Sequence, residues 1–313
     1  MKKPLDIIFM GTPAFAVPSL EALAAAGHRV LAAVTQPDRP VGRGRQLTPP
    51  PVKHSAQRLG IPVLQPEKIR TEAFAREMAA LAPDVLVVVA FGRILPAALL
   101  NLPRLGAVNI HGSLLPRYRG PAPIQWALIN GDAVTGVTAM LMDEGLDTGP
   151  TLCAREVAIR PEDTSATLHD RLSMAGAELL ITALEGLASG TLTPLVQDDR
   201  QATYAPLLAK KDGRIAWQKP ARELACFIRG MTPWPGAYTF HGDRRLKIFR
   251  AQPLAAATDE TPGRVLPGFE DELRVATGDG VLSILEIQGE SGKRLAIRDF
   301  LRGHHLPPGT LLA

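Results

Sequence analysis

The chain has 313 residues, 46% apolar and 21% charged, and its 35 Lys and Arg against 31 Asp and Glu leave a formal charge of +4. Such a chain can bury ordinary cores, two of them at about 150 residues per domain, and is not a disordered acidic or basic tail. Two cysteines, Cys153 and Cys226, stand in no metal-like or redox-like spacing, which excludes a disulfide scaffold and fits a reducing cytosol. Leu5–Met10 is the first predicted strand, ended by Gly11-Thr12-Pro13. Lys2, Lys3 and Ala14-Phe15-Ala16 imitate a secretion signal, but Asp6, Gly11 and Pro13 leave its apolar part too short. A helix follows Pro13 and stops at Gly27. Val30–Thr35, Ile61–Leu64 and Asp84–Ala90 are the next strands, and the β-branched run in the last is typical of a parallel strand covered on both faces. Gln36–Pro51 reads as a loop, stiffened by prolines at its ends and freed at Gly42 and Gly44. Gly106–His111 and Gly136–Met142 continue the strands, with helices expected over Pro121–Asn130 and Ser165–Gly190. This alternation predicts an α/β doubly wound domain over residues 1–190. No apolar run approaches the ~18–20 residues of a membrane span, so a soluble cytoplasmic protein without a membrane partner is expected.

Residues 191–206 are polar and read as a linker. Residues 207–313 read as a distal domain in which, from Arg214 onward, short strands dominate, at Ala237–Phe240, Leu246–Arg250, Gly263–Pro267, Leu273–Thr277 and Val281–Ile287, with one helix at Ala221–Gly230. That spacing predicts a small OB-like β-barrel domain. Residues 1–200 hold nineteen basic and nineteen acidic side chains, residues 201–313 sixteen and twelve, so the whole positive surplus is distal. A basic appendage on a neutral body favours a phosphate-rich partner. Lys210, Lys211, Arg244, Arg245 and Lys247 are its expected contacts. Arg39, Arg43 and Arg45 against the lone Asp38 make the Gln36–Pro51 loop locally positive as well.

The segment from Gly106 to Gly120 is the least bland in the chain. If Ala107–His111 is a strand, its period of two puts Asn109 and His111 on one face and Val108 and Ile110 on the other. An amide beside an imidazole at the C-terminal end of a parallel strand is where open α/β sheets hold ligands. Asp147, in the loop after the next strand, is expected at the same edge of the sheet, where a carboxylate can take a proton or hold a histidine in its working tautomer. Asp143 and Glu144 offer competing carboxylates that spacing does not eliminate. Gly11-Thr12-Pro13-Ala14 is not a dinucleotide fingerprint, Gly42-Arg43-Gly44-Arg45 lacks the phosphate-loop lysine, and His304-His305 has no companion at ligand spacing, so no metal is expected.

Asn109 through Pro116, with Ile110-His111-Gly112-Ser113-Leu114-Leu115-Pro116 in sequence, then Tyr118-Arg119-Gly120 and Leu146-Asp147-Thr148-Gly149, resemble the folate-dependent formyltransferases. Phe9-Met10-Gly11-Thr12-Pro13-Ala14-Phe15, the stretch Thr35–Gly44 and Trp234-Pro235-Gly236 narrow the resemblance to the branch whose acceptor is methionyl initiator tRNA. The resemblance implies a Rossmann-like domain, an OB-like domain binding tRNA, and formyl transfer from 10-formyltetrahydrofolate to the methionyl α-amine, by an enzyme expected to be a monomer. It puts the catalytic Asn, His and Asp on Asn109, His111 and Asp147, and folate contacts on Ser113, Leu114, Leu115 and Pro116.

A neutral amine must attack the formyl carbon, and an α-amine titrates near ~7.7–8, so much of it first loses a proton. Asp147 is expected to assist that loss and orient His111, while Asn109 and His111 donate to the developing oxyanion, contacts worth ~2.7–4 kcal/mol each. A formyltransferase acting on an amino sugar or glycinamide ribotide would share the trio without needing the basic distal part. Formyltetrahydrofolate dehydrogenase would need a further domain that 313 residues do not hold. A non-catalytic RNA-binding protein would leave the trio as coincidence.

Overall fold

A computed structural model describes residues 4–41, 46–268, 270–290 and 292–313. The chain divides into two compact units. One comprises Met1–Gly120, Val134–Ala158 and His169–Ala205; the other comprises Pro121–Ala133, Ile159–Leu168 and Pro206–Ala313.

The first unit is built on a seven-stranded sheet. In chain order its elements are β1 (Asp6–Gly11), α1 (Val17–Ala25), β2 (Arg29–Val34), β3 (Arg39–Val41), β4 (Gln46–Thr48), α2 (Pro51–Arg58), β5 (Val63–Leu64), α3 (Glu72–Ala80), β6 (Val85–Val89), α4 (Ala97–Leu100) and β7 (Ala107–His111). After α5 (Pro123–Ile129), which clusters with the second unit, come β8 (Val134–Leu141), β9 (Thr151–Ala158) and α6 (Ser165–Ser189). Pro51 opens α2 where a missing N–H costs nothing, and the Thr71 hydroxyl caps α3 by accepting from Phe74 N at 3.2 Å. The strand order is β5-β2-β1-β6-β7-β8-β9, in which β5 to β7 are parallel. All five residues of β6 are buried, as the Val-rich run requires. One face carries Ile8, Met10, Leu86, Val88 and Ala107 against Phe74, Met78 and Leu99 of α3 and α4. The other carries Ile110, close enough to α6 that a Cβ on Gly176 would lie 2.8 Å from its Cγ2.

Three expectations change. The Gln36–Pro51 segment is not simply a loop, because β3 and β4 pair as an antiparallel ribbon, Arg39 opposite Thr48. Strand β8 runs antiparallel to β7, with Leu141 opposite Val108 and Thr138 opposite His111. Its last residue therefore lies at the start of β7, not at the sheet's C-terminal edge. Strand β9, absent from the sequence reading, is the far edge and has an exposed Arg155-Glu156 middle that hides its strand character. The 25-residue α6 is apolar enough by composition to cross a membrane, yet Leu168, Leu172, Leu180 and Leu184 are fully buried in the fold.

The second unit is an antiparallel barrel. After α7 (Ala221–Met231) come β10 (Ala237–His241), β11 (Arg244–Leu254), β12 (Leu273–Ala276), β13 (Val281–Gln288), β14 (Leu295–Ala296) and α8 (Ile297–Leu301). The ladder runs β10-β11-β13-β12. Residues 263–266 continue it beyond β12, through Leu266 N to Arg274 O and Ala276 N to Arg264 O, both 2.9 Å. Residues 310–313 then pair with 263–265 and return to β10, where Phe240 and Ala313 exchange bonds of 2.8 and 3.0 Å. These main-chain bonds curl the sheet towards closure as a small barrel-like unit, with β14 paired only to β13 among the described residues. Ile228, Leu282, Ile284, Ile287 and Trp217 fill its core, and the Trp217 indole donates to Thr239 Oγ1 at 3.0 Å. Helix α5 packs on α7, where a Cβ on Gly230 would meet Ile129 at 2.6 Å.

Candidate active site

Strand β7 is buried throughout, so its two polar side chains are held out of bulk water. Asn109 is 9% exposed and has no hydrogen-bond partner for its amide among the described residues. His111 is 7% exposed, and its Nε2 lies 2.9 Å from the Tyr118 carbonyl oxygen. A carbonyl only accepts, so Nε2 carries the hydrogen and Nδ1 is the end left for chemistry.

Nδ1 of His111 faces Asp147 Oδ2 at 3.6 Å. That is longer than a hydrogen bond but within ion-pair range, and catalytic contacts are often this loose without substrate. The same Oδ2 accepts from Gly120 N at 2.9 Å. Asp147 itself has a φ of +54° and Tyr118 one of +61°, a backbone region that costs a non-glycine residue about 1–3 kcal/mol. The strain sits on the two residues that flank the imidazole. Asp143 is spent on its own turn, accepting from Gly145 N at 3.0 Å and from Thr148 Oγ1 at 2.7 Å. Glu144 is exposed. Among the three carboxylates of this loop, Asp147 is the one facing the histidine.

The turn after β7 is internally braced. Ser113 is fully buried, and its Oγ donates to Arg117 O at 2.6 Å while its carbonyl accepts from Thr138 Oγ1 at 2.7 Å. Its hydroxyl therefore shapes the turn. Leu114, Leu115 and Pro116 are half-buried and offer an apolar surface. Sequence reading missed the partners that are main-chain groups, Tyr118 O and Gly120 N, because no side-chain pattern encodes them.

Of the residues expected to meet a phosphate-rich partner, Arg39 is exposed on β3 and donates to Gln36 Oε1 at 2.6 Å; Arg43 and Arg45 lie outside the described residues. Asp38, at the ribbon's stem, is bound by Lys53 at 2.8 Å and by Gln65 at 2.7 Å, and those hydrogen bonds, Lys53 first, hold its carboxyl below the usual carboxylate range. In the second unit Arg244, Arg245 and Lys247 are on β11, opposite His241, Phe240 and Tyr238. Arg245 lies 5.5 Å from the Tyr238 ring centre and Arg214 lies 5.8 Å from that of Phe240. The Tyr238 hydroxyl donates to Lys211 O, next to Lys210 in an exposed turn. Arg214, Tyr238 and Phe240 were not singled out from sequence; the alternation of β10 was the signal available. Among the described residues no three His, Cys, Asp or Glu side chains cluster as metal ligands.

A family model described as formyl transferase matches residues 5–184, and one described as formyl transferase, C-terminal domain, matches 207–305. Over 308 residues, 98% of this chain and 96% of the relative, the chain is 52% identical to a protein of Citrifermentans bemidjiense named methionyl-tRNA formyltransferase. A solved N-formyltransferase from Helicobacter canadensis, in complex with folinic acid and dTDP-3-aminofucose, is similar with a TM-score of 0.66 and 19% identity over 92% of this chain and 100% of that one. HypX from Aquifex aeolicus in complex with tetrahydrofolic acid gives 0.65 and 18% over 96% of this chain. This chain spans about half of that longer protein, at 47%. These two structures share the fold. The chain belongs to the formyl transferase family.

Proposed function

We propose that this formyl transferase moves the formyl group of 10-formyltetrahydrofolate to the α-amine of methionyl initiator tRNA, in the cytoplasm and as a single chain. Catalysis is assigned to residues 1–190, with 191–206 the connection, and tRNA binding to 207–313, although 121–133 and 159–168 cluster with the second unit and 191–205 with the first. The observation that carries the reading is the enclosed pair of His111 Nδ1 and Asp147 Oδ2, 3.6 Å apart on the face that also holds the uncommitted Asn109 amide. The near-full-length likeness to a protein named for this acceptor supports the choice of tRNA over a small amine.

Each side chain has a role its surroundings suit. With Nε2 committed to Tyr118 and Nδ1 facing Asp147, His111 is not placed to donate to the oxyanion as expected from sequence; it takes the amine's proton at Nδ1, and Asp147 stabilises the resulting imidazolium. The amine nitrogen bonds to the formyl carbon, the bond from that carbon to the folate nitrogen breaks, and Nδ1 returns the proton to the departing nitrogen. Asn109 donates its amide hydrogen to the formyl oxygen as negative charge builds there. Leu114, Leu115 and Pro116 supply an apolar wall for the donor's ring system, held in shape by Ser113. Arg39 of the ribbon and, from sequence alone, Arg43 and Arg45 of the Gln36–Pro51 segment, with Lys210, Lys211, Arg244, Arg245 and Lys247 of the second unit, meet the tRNA phosphates.

The test is formylation of charged initiator tRNA, with and without 10-formyltetrahydrofolate, followed by release of labelled formylmethionine. Formylation that needs the folate donor is expected. Preferential formylation of a nucleotide-linked amino sugar, with charged tRNA left untouched, would overturn the assignment of acceptor.

A further inference from the structure

The strap of chain just before the barrel, residues 195–205, is not a passive connection. Leu195 is tied to Thr151 by two main-chain bonds of 2.8 Å, at the point where β9 begins. Two residues on, the side-chain amide of Gln197 donates to the Asp147 carbonyl at 2.8 Å and to the Gly149 carbonyl at 2.7 Å. Its Oε1 accepts from Arg119 Nε at 3.1 Å and Nη2 at 2.9 Å. Carbonyls only accept and a guanidinium only donates, so the amide has a single orientation. Arg119 is held in turn by Asp199 Oδ1 at 2.7 Å, with its side chain 12% exposed. Its main chain is held too, by Arg119 N to Thr203 O at 2.9 Å and Ala205 N to Arg119 O at 2.7 Å.

These bonds close a ring around the pair of reacting side chains. The residue before Arg119 offers the carbonyl that fixes His111, and the residue after it offers the N–H that fixes the Asp147 carboxylate. Gln197 links Arg119 to the carbonyl of Asp147 itself, the residue whose left-handed backbone needs external support. We infer that Gln197, locked by Arg119, is a positioning residue that holds Asp147 in register with His111. The inference rests on the proposed role of Asp147 and adds to it a contact made by a segment that no motif marks.

Gln197→Glu tests it, because a carboxylate keeps the size and the partner Arg119 but loses both donors to the loop. Single-turnover formylation at saturating substrates should slow about tenfold or more, as displacement of a reacting group predicts, with KM for tRNA and donor held within about twofold. In an Asp147→Ala background the same change should cost less than about twofold, since the group being positioned is gone. Gln197→Met, also of similar length and without donors, is the second variant should the first fold poorly by thermal melting, and it should show the same coupling. Equal losses in both backgrounds, or an effect confined to KM, would overturn the positioning role. An Asp147→Ala enzyme of normal turnover would instead overturn the functional reading of Asp147, and with it the inference, so the two failures are told apart by the single variants.

Discussion

Gly149 offers a way to move Asp147 without touching it. A methyl group placed on Gly149 would lie 1.9 Å from the Leu141 carbonyl oxygen and 3.2 Å from Asp143 N, both main-chain atoms that cannot swing aside. Since such contacts stay above 3.0 Å, the loop must retreat by about 1 Å to admit it. Asp147 is two residues away, and its carboxylate already stands 3.6 Å from His111. A shift of about 1 Å at a reacting group costs roughly 100-fold in turnover, and overpacking of this kind costs about 1–3 kcal/mol in stability. Gly149→Ala should therefore remain folded while formylation of charged tRNA falls roughly 100-fold in kcat, with the KM for the donor little changed. Gly303→Ala, where an added methyl meets nothing within 4 Å, is the matched control and should behave as wild type. A folded Gly149→Ala enzyme with kcat within about threefold of wild type would refute the claim that this loop must be held at its present distance.

Asn109→Ala, His111→Gln and Asp147→Asn should each lower kcat by about 10²–10³, with circular dichroism and tRNA affinity unchanged; an Asn109 variant of normal turnover would remove its amide from the oxyanion contact. Arg245→Glu and Lys211→Glu should weaken tRNA binding and reduce the slope of log K against log salt by about one per lost phosphate contact, read by filter binding across a salt series. Tyr238→Ala, which removes the ring beneath Arg245, should weaken binding with the salt slope preserved, because stacking carries no counterion. His28 accepts from Leu5 N at 3.2 Å, and burial pushes its pKa below the ordinary ~6.5, with Glu185 opposing. The unfolded chain then binds that proton first as pH falls, so stability is full above ~6.5 and declines through the lowered folded value. Melting temperature should drop between pH 7.5 and pH 5.5 in wild type and drop less in His28→Gln.

What the sequence made legible follows from where side-chain pattern and physics coincide. The Val85–Val89 run could only be a covered strand, and the i, i+2 spacing of Asn109 and His111 by itself puts both on one face. Barrel closure was half legible, since Gly263–Pro267 reads as a strand but pairs through single bridges, and nothing in residues 310–313 announces the return to Phe240. The ribbon at Arg39–Val41 and Gln46–Thr48 was missed because Pro40 and the glycines between the strands outweigh three-residue strand signals. Gln197 and Thr203 sit in a polar stretch that looks like linker for a similar reason. Polar side chains that serve main-chain partners leave no period behind.

The direction of β8 decides how the site is made. Leu141 lies opposite Val108, three residues before His111, so the chain leaves β8 about 10 Å from the imidazole at ~3.3 Å per residue. Asp147 nonetheless stands 3.6 Å from His111, so the loop returns along β7, tied at its ends by Met142 N to Ala107 O and Leu141 N to Pro150 O. Between those ends the fixing contacts among the described residues are individual: the Asp143 turn, Gly149 against Leu141, Gly120 N on the carboxylate, and Gln197 on two carbonyls. Individual contacts are lost one at a time, each with a small cost to the fold and a large one to the 3.6 Å separation. Substitutions at these anchors should accordingly divide from core substitutions such as Ile110→Ala, which leaves a cavity beneath β7 and should cost about 2–5 kcal/mol in stability. If thermal melts placed the anchors and the core on one common line of activity against stability, the loop would be part of the sheet's cooperative structure and not a separately braced arm.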